Sequence, residues 1–560
     1  MKSRIISIQL IFLLASILFS NSSFAQTKLQ IPQAKVPPAN TSMKPKLVVG
    51  IVVDQMRYDY LFRFKEKYSE GGFRRLMRDG FLFENANYNY VPTYTAPGHA
   101  CIYTGTTPSH NGIISNDWYD RELGKTIGCV WDSTMKPVGT TSISGKMSPK
   151  NLLSTTVTDE LRAASNFKSK VIGIALKDRG AILPAGHSAN AAYWHDPYSN
   201  NWVTSTYYMQ QLPQWVQKFN ERKITDSLLS IPWNTLLPID SYIESTADDT
   251  PYEGLFKGET KPVFPHDLPE IKKEDEELIR RTPFGNTFTA MFAKAAIEGE
   301  QLGKGSNIDF LAVSFSSTDY VGHMFGTNAI ELEDTYIRLD RDLSDLLSYL
   351  DNAVGKNNYL LFLTADHGAV ANPMYNHDHN LPGGDFDSDT MFKALDVFLQ
   401  QEYGPGKYLS YTNAHQIYLN RILLDQKKID AKAMREKCAQ FLKQFEGVAE
   451  VATCDELQRE TNRDGIFSFM QNGYNDKRSA DVLIELKPGW IDWYTKTGTT
   501  HGSAYSYDTH VPLLFFGSNI RHGSSNASVT IEDIAPTLSA LLDIESPSST
   551  TGKQLNEILK

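Results

Sequence analysis

Cysteine is scarce in this chain. Cys101, Cys129, Cys438 and Cys454 are the only four in 560 residues, and no two form a CxxC pair. That spacing speaks against a cysteine zinc cluster. Cys438 and Cys454 are near enough in sequence to bridge in an exported protein, and the sequence leaves that pairing open. Cys101 lies in an apolar Ala-Cys-Ile-Tyr run and reads as a packed thiol. An excess of positive charge is missing too. The formal net charge is -10, which speaks against a nucleic-acid partner, because such a partner needs a basic face. A locally positive anion pocket is still compatible with it. Beyond the N-terminus no apolar run is long enough to cross a bilayer. There is no internal repeat and no low-complexity block.

What is present begins with a targeting signature. Lys2 and Arg4 precede a largely apolar Ile5 to Phe19, and Ser23-Phe24-Ala25 suits cleavage after Ala25. Residues 1–25 read as a secretory signal peptide and 26–45 as a flexible Pro-, Ser- and Thr-rich lead-in. The mature chain is expected in the periplasm or outside the cell, with no membrane span. Its length exceeds one ordinary core, so a large domain with insertions is expected.

Continuous apolar, β-branched runs recur along the chain. They are Lys46 to Val53, Lys170 to Leu176, Ile308 to Phe315, Asn358 to Thr364 and Val511 to Phe516. Such runs read as strands buried on both faces of a sheet, with Pro512 marking an edge or a strand start. Helical patterns lie between them. Glu331 to Tyr349 places Leu339, Leu343, Leu346 and Leu347 on one face and charges on the other. Asp533 to Leu542 is a second helix, with Pro536 in its first turn. The alternation predicts an α/β fold, a doubly wound and mostly parallel sheet flanked by helices. The core is expected over 46–384 and 495–560. Within it, an aromatic-rich insertion at about 190–300 would wall a site, and 385–494 would form a small α+β cap.

In open sheets of this kind ligands bind beyond the carboxyl ends of the strands. Asp54, Asp319 with His323, and Asp366 with His367 all follow such strands, and His501 lies in Thr-Thr-His-Gly-Ser. Each alone is compatible with a cap, a turn or a surface histidine; together they form a metal-ligand set. Zinc takes His and carboxylate ligands and keeps a position open when catalytic, and six such residues suffice for two three-ligand sites. Asn89 to Ala100, with Pro92 and Pro97, presents Thr95 at a loop-to-helix junction. Ala96 onward would open a helix whose first amides favour an anion. Thr-Ala-Pro-Gly is also ordinary turn chemistry.

Asp54, Thr95 in Thr-Ala-Pro-Gly-His, Asp319-x-x-x-His323, Asp366-His367-Gly368 and His501-Gly502 together resemble the alkaline phosphatase superfamily, over roughly residues 46 to 545. Among its branches the chain is most similar to the flavobacterial phosphomonoesterases. The resemblance implies two zinc ions. One would take Asp319, His323 and His501, the other Asp54, Asp366, His367 and the Thr95 oxygen. It implies hydrolysis of small phosphate monoesters through a phospho-Thr95 intermediate, with Asn116, Lys177 and Arg179 binding the phosphoryl oxygens and the Ala96 amide assisting. The alternative is a nucleotide pyrophosphatase/phosphodiesterase, with aromatics near Trp194 holding a base. Sulfatase chemistry is disfavoured, because Thr95, Pro97 and His99 stand where sulfatases need C/S-x-P-x-R. His377 and His379 are read as a polar loop beside the site rather than as further ligands.

Overall fold

The computed structural model describes residues 44–413, 415–459, 464–492 and 495–559. The expected signal peptide and nearly all of the lead-in lie outside the described residues.

The centre of the fold is four strands with almost no polar face: Leu47–Val53 (β1), Val171–Ala175 (β2), Asp309–Phe315 (β3) and Tyr359–Thr364 (β4). Every residue of the four is buried, as apolar runs that serve both faces of a sheet must be. β1 runs parallel to both β3 and β4, with Leu47 opposite Asp309 and Tyr359, and β2 runs parallel to β3. They belong to a ten-stranded sheet. Its order is Gly523–Thr530, Phe81–Asn87, Leu513–Gly517, β4, β1, β3, β2, Ala191–Asp196, Asn201–Ser205, Pro137–Val138. Helices flank the sheet.

Two expectations change here. Leu513–Gly517 is neither an edge strand nor parallel. It runs antiparallel between β4 and Phe81–Asn87, and Pro512, directly before its first residue, marks the strand start, the other expectation. A strand covered on both faces has the same apolar composition whichever way it runs. The aromatic segment expected as an insertion from about 190 also begins inside the sheet. Tyr193 and Trp194 lie on one of its strands and Trp202 on the next, all buried in the core.

Four helices bear on the site: Thr95–Thr104 (α1), Asp178–Ala185 (α2), Ser317–Phe325 (α3) and Ile330–Leu350 (α4). On α4 the four predicted leucines are buried. Its other side is not simply a solvated face. Asp340 accepts the Ser69 and Phe73 amides at 2.6 and 2.7 Å. Asp334 accepts Trp233 Nε1 at 2.7 Å and the Tyr242 hydroxyl at 2.6 Å. Buried carboxylates surrounded by donors in this way tie loops to the helix.

Beyond α4, Leu409–Asn413, Gln416–Leu419, Val482–Leu486 and Val448–Thr453 form a four-stranded antiparallel sheet, in that order. Its own apolar cluster includes Met391, Leu395, Met434 and Leu442. All four cysteines are buried free thiols, so Cys438 and Cys454 do not bridge. Among the described residues no helix is long and apolar enough to cross a membrane.

Candidate active site

The carboxyl ends of β1 to β4 converge, and each delivers a polar residue. Asp54 follows β1 directly, and its amide donates to Phe315 O at 3.0 Å, locking it to the end of β3. Asp319 lies in the first turn of α3, and Asp366-His367 follow β4. Two groups of buried ligand atoms result, Asp54–Asp366–His367 and Asp319–His367–His501, each with its atoms within 4.8 Å of one another. His323 joins the second group through Nε2, 3.2 Å from Asp319 Oδ1. His367 belongs to both because its ring stacks on His501, with centroids 3.4 Å apart.

The donor chemistry fits metal ions. His323, His367 and His501 each place Nδ1 against a backbone carbonyl, of Thr499 at 2.8 Å, Gly368 at 2.9 Å and Thr93 at 2.7 Å. Nδ1–H donates there, so the unprotonated Nε2 faces the carboxylates, the usual orientation of a metal-ligating histidine. Burial holds His501 down to about 3 and His367 well below its ordinary value, which keeps both rings neutral. Asp54 Oδ1 and Asp366 Oδ2 are buried without a hydrogen bond. Burial raises Asp54 to about 6 against the pull of Lys177.

Thr95 opens α1 itself, one residue earlier than expected, after an extended Tyr94. Its hydroxyl is buried, 3.5 Å from His367 Nε2 and 3.3 Å from Lys177 Nζ. Lys177 is no solvated loop residue. It is buried at the start of α2 and reaches Asp54 Oδ2 at 2.8 Å and Asp319 Oδ2 at 2.6 Å, bridging the two carboxylate groups. Burial lowers its basicity, but Asp319 and Asp54 outweigh that and leave it raised. The Arg179 side chain is about a quarter exposed (24%), with its nearest carboxylate oxygen, Asp178 Oδ1, at 3.8 Å and its Nε unpartnered. Asn116 Oδ1 accepts the Ala96 amide at 2.9 Å. That amide is therefore engaged, contrary to its expected role at the phosphoryl group, and the donor end of Asn116 is what the side chain has left for a ligand. His377 and His379 lie on and just after the short helix Pro373–Asp378, exposed and outside both ligand groups.

Residues 48–508 match the family described as type I phosphodiesterase / nucleotide pyrophosphatase. The chain belongs to this family. Within the wider alkaline phosphatase superfamily, its relatives include alkaline phosphatase PafA of Elizabethkingia meningoseptica, 48% identical over 93% of this chain and 95% of that one. Alkaline phosphatase PhoV of Synechococcus elongatus is 46% identical over 99% and 100%. The crystal structure of wild-type PafA superposes with a TM-score of 0.90, at 47% identity, covering 92% of this chain and 99% of that one.

Two residues of this family site had no role assigned from the sequence. His99, four residues after Thr95 on α1, donates through Nδ1 to Thr95 O at 2.8 Å and accepts from Ser314 Oγ through Nε2 at 2.9 Å. It braces the turn that carries Thr95 against β3, and burial keeps it neutral, at about 3. Its i, i+4 spacing from Thr95 was the available signal. Gln55 follows Asp54. Its amide donates to Asp366 Oδ1 at 3.1 Å and its Nε2 to Asp319 Oδ1 at 2.7 Å. No sequence pattern marks that arrangement.

Proposed function

We propose that the protein is an exported, zinc-dependent alkaline phosphatase that hydrolyses small phosphate monoesters through a covalent phospho-Thr95 intermediate. The observation that carries this reading is the setting of the Thr95 hydroxyl: buried, beside Lys177, and flanked by the two carboxylate–imidazole groups. Relatives named alkaline phosphatase at 46% and 48% identity over nearly the full chain support it.

Asp54, Asp366, His367 and Thr95 would hold one zinc ion, and Asp319, His323 and His501 a second. When bound, such a pair supplies Lewis-acid charge to an attacking and a leaving oxygen. The chain's own groups do the rest. Thr95 Oγ1 forms a bond to phosphorus in line with the ester oxygen, whose bond to phosphorus breaks and which leaves with its carbon group. Lys177 Nζ, beside Thr95 Oγ1, favours the deprotonated hydroxyl. Arg179 and the donor end of Asn116 hold the terminal oxygens. Water then attacks phospho-Thr95, releases phosphate and restores the hydroxyl. A monoester dianion carries more charge on those oxygens than a diester, so two cations favour it.

The family's description includes phosphodiesterases, which makes nucleotide pyrophosphatase/phosphodiesterase activity the second reading. Trp194 lends it no support, because that indole is buried in the core.

The test is steady-state hydrolysis of an aryl phosphate and of its methyl diester by zinc-loaded protein. Thr95→Ala should lose about 10³-fold or more of kcat/KM on the monoester while keeping its metal. Arg179→Ala should lose about 10²-fold on the monoester and less on the diester. Near-normal turnover by Thr95→Ala would remove the nucleophile assignment. A diester preference indifferent to Arg179 would move the protein to the phosphodiesterase branch. N-terminal sequencing of the exported chain, expected to begin at Gln26, checks the export step.

A further inference from the structure

We propose that the cavity beside Thr95 is a leaving-group pocket for phosphate monoesters whose alcohol ends in an ammonium group, primary or quaternary. This rests on the monoester reading and names its substrate class.

The cavity, of about 310 Å³, is lined by Asn116, His323 and His501 on the catalytic side and on the other by Glu485 and Leu486 of the four-stranded sheet and by Trp490, Ile491 and Asp492 beyond it. Tyr94, Trp490 and Tyr507 supply aromatic walls. The Tyr94 ring stands edge-on to His501, with centroids 5.4 Å apart. Gly502 (φ +129) makes room for that ring, since a Cβ there would come within 2.6 Å of it. The Trp490 indole is wedged against Gly447, where a Cβ would meet it at 2.6 Å.

Among the described residues the carboxyl side chains lining this cavity are Glu485, Asp492 and Asp508, and no lysine or arginine lines it. Burial raises Glu485 to about 8 and Asp508 to about 7, so these two reach full charge only at alkaline pH. His415 also lines it, and burial lowers its basicity, so it adds no cation. Asp508 is 1% exposed. Its Oδ2 accepts the Gly502 and Ser503 amides and the Ser503 hydroxyl, while Oδ1 is buried without a hydrogen bond. Glu485, also 1% exposed, accepts the Ala504 amide through one oxygen.

Asn116 lines both this cavity and the neighbouring one that holds Arg179, so the cations Lys177, beside Thr95, and Arg179 lie on one side of Asn116 and the carboxyl groups and aromatic faces on the other. A phosphate dianion tethered to an ammonium matches both sides, since aromatic faces and carboxylates attract an alkylated cation together. The second cavity that touches His323 lacks this field. Its cations Lys257 and Arg281 are paired with Glu274 and Asp275.

The test compares kcat/KM for choline phosphate and for its uncharged isostere 3,3-dimethylbutyl phosphate, in the wild type, Asp492→Asn and Trp490→Leu. The ratio is the readout, so a general loss of activity cancels. The wild type should prefer the cation about tenfold, and each variant should bring the ratio to about twofold. A wild-type ratio near one, or a ratio that survives both substitutions, overturns the proposal. Calorimetric binding of the same two esters to Thr95→Ala separates the pocket from the chemistry. A binding preference in Thr95→Ala alongside a wild type that turns over no monoester would support the pocket and remove the phosphatase reading. Turnover without any binding preference would remove the pocket alone.

Discussion

At the scale of single residues, Gln55 shows how one side chain can serve both halves of the site. Its backbone is left-handed, φ +64, which costs a non-glycine residue about 1 kcal/mol. That conformation sends its amide to Asp366 and its side chain to Asp319, one carboxylate from each ligand group. Groups that orient metal ligands in this way typically change metal affinity or activity by about 10- to 100-fold when lost. Gln55→Ala should therefore weaken zinc binding and kcat/KM by about tenfold, measured by competition with a chromogenic chelator and by aryl phosphate turnover. Gln55→Gly should show the same functional loss but unfold at a higher temperature than Gln55→Ala, because glycine relieves the backbone strain. Unchanged zinc affinity in Gln55→Ala would end the positioning argument.

At the scale of elements, helix Val157–Ala164 depends on a capping box. Thr156 and Asp159 satisfy each other's amides at 3.1 and 3.0 Å. Asp159 also accepts the His187 and Ser188 amides at 3.2 and 2.7 Å. Burial raises its pKa, but the hydrogen bonds from His187 and Ser188 outweigh that and bring it from 3.8 down to about 2. A depressed carboxylate stabilises the fold above its unfolded pKa, and that contribution is lost as the pH falls through the folded value. Asp159→Asn should cost about 2 kcal/mol near neutrality. The gap to the wild type should close between pH 4 and pH 2, as followed by urea unfolding at each pH; a constant gap would assign the loss to packing instead. The elements themselves were legible to different degrees. β1 to β4 were readable because a strand buried on both faces must be apolar throughout. The direction of Leu513–Gly517 was not, because direction leaves no trace in such a run. Ala191–Asp196 was hidden because His195 and Asp196, both buried, interrupt the apolar signal. Most of the proposed ligands were readable for a related reason, since β1, β3 and β4 fix where Asp54, Asp319 and Asp366 emerge. Gln55 acts through its φ angle and Glu485 through a distant strand, and neither has a local pattern.

At the scale of the whole molecule, the site joins segments that the chain keeps far apart. Residues 54, 95, 177, 319, 366 and 501 meet at the end of one sheet. Asp54, Asp319 and Asp366 are buried there with Lys177 as the cation bonded to Asp54 and Asp319. Burial raises Asp54 and Asp366 above the ordinary carboxylate range, so protons compete with a divalent ion there. A bound ion would favour the ionised carboxylates and link β1, β4, α3 and the His501 loop at once. An ion that binds only the folded chain stabilises it by mass action, about 2.7 kcal/mol per site at a hundred times its dissociation constant. For a core of this size that corresponds to a rise in Tm of about 3–5 °C. Thermal unfolding of chelator-treated protein, with and without added zinc, should show that rise. In Asp319→Ala, which removes a ligand of one group only, the rise should be about halved. An unfolding temperature indifferent to zinc would mean that these buried carboxylates are satisfied by protons and Lys177 alone, and would remove the metal from the account of how the sheet end is held together.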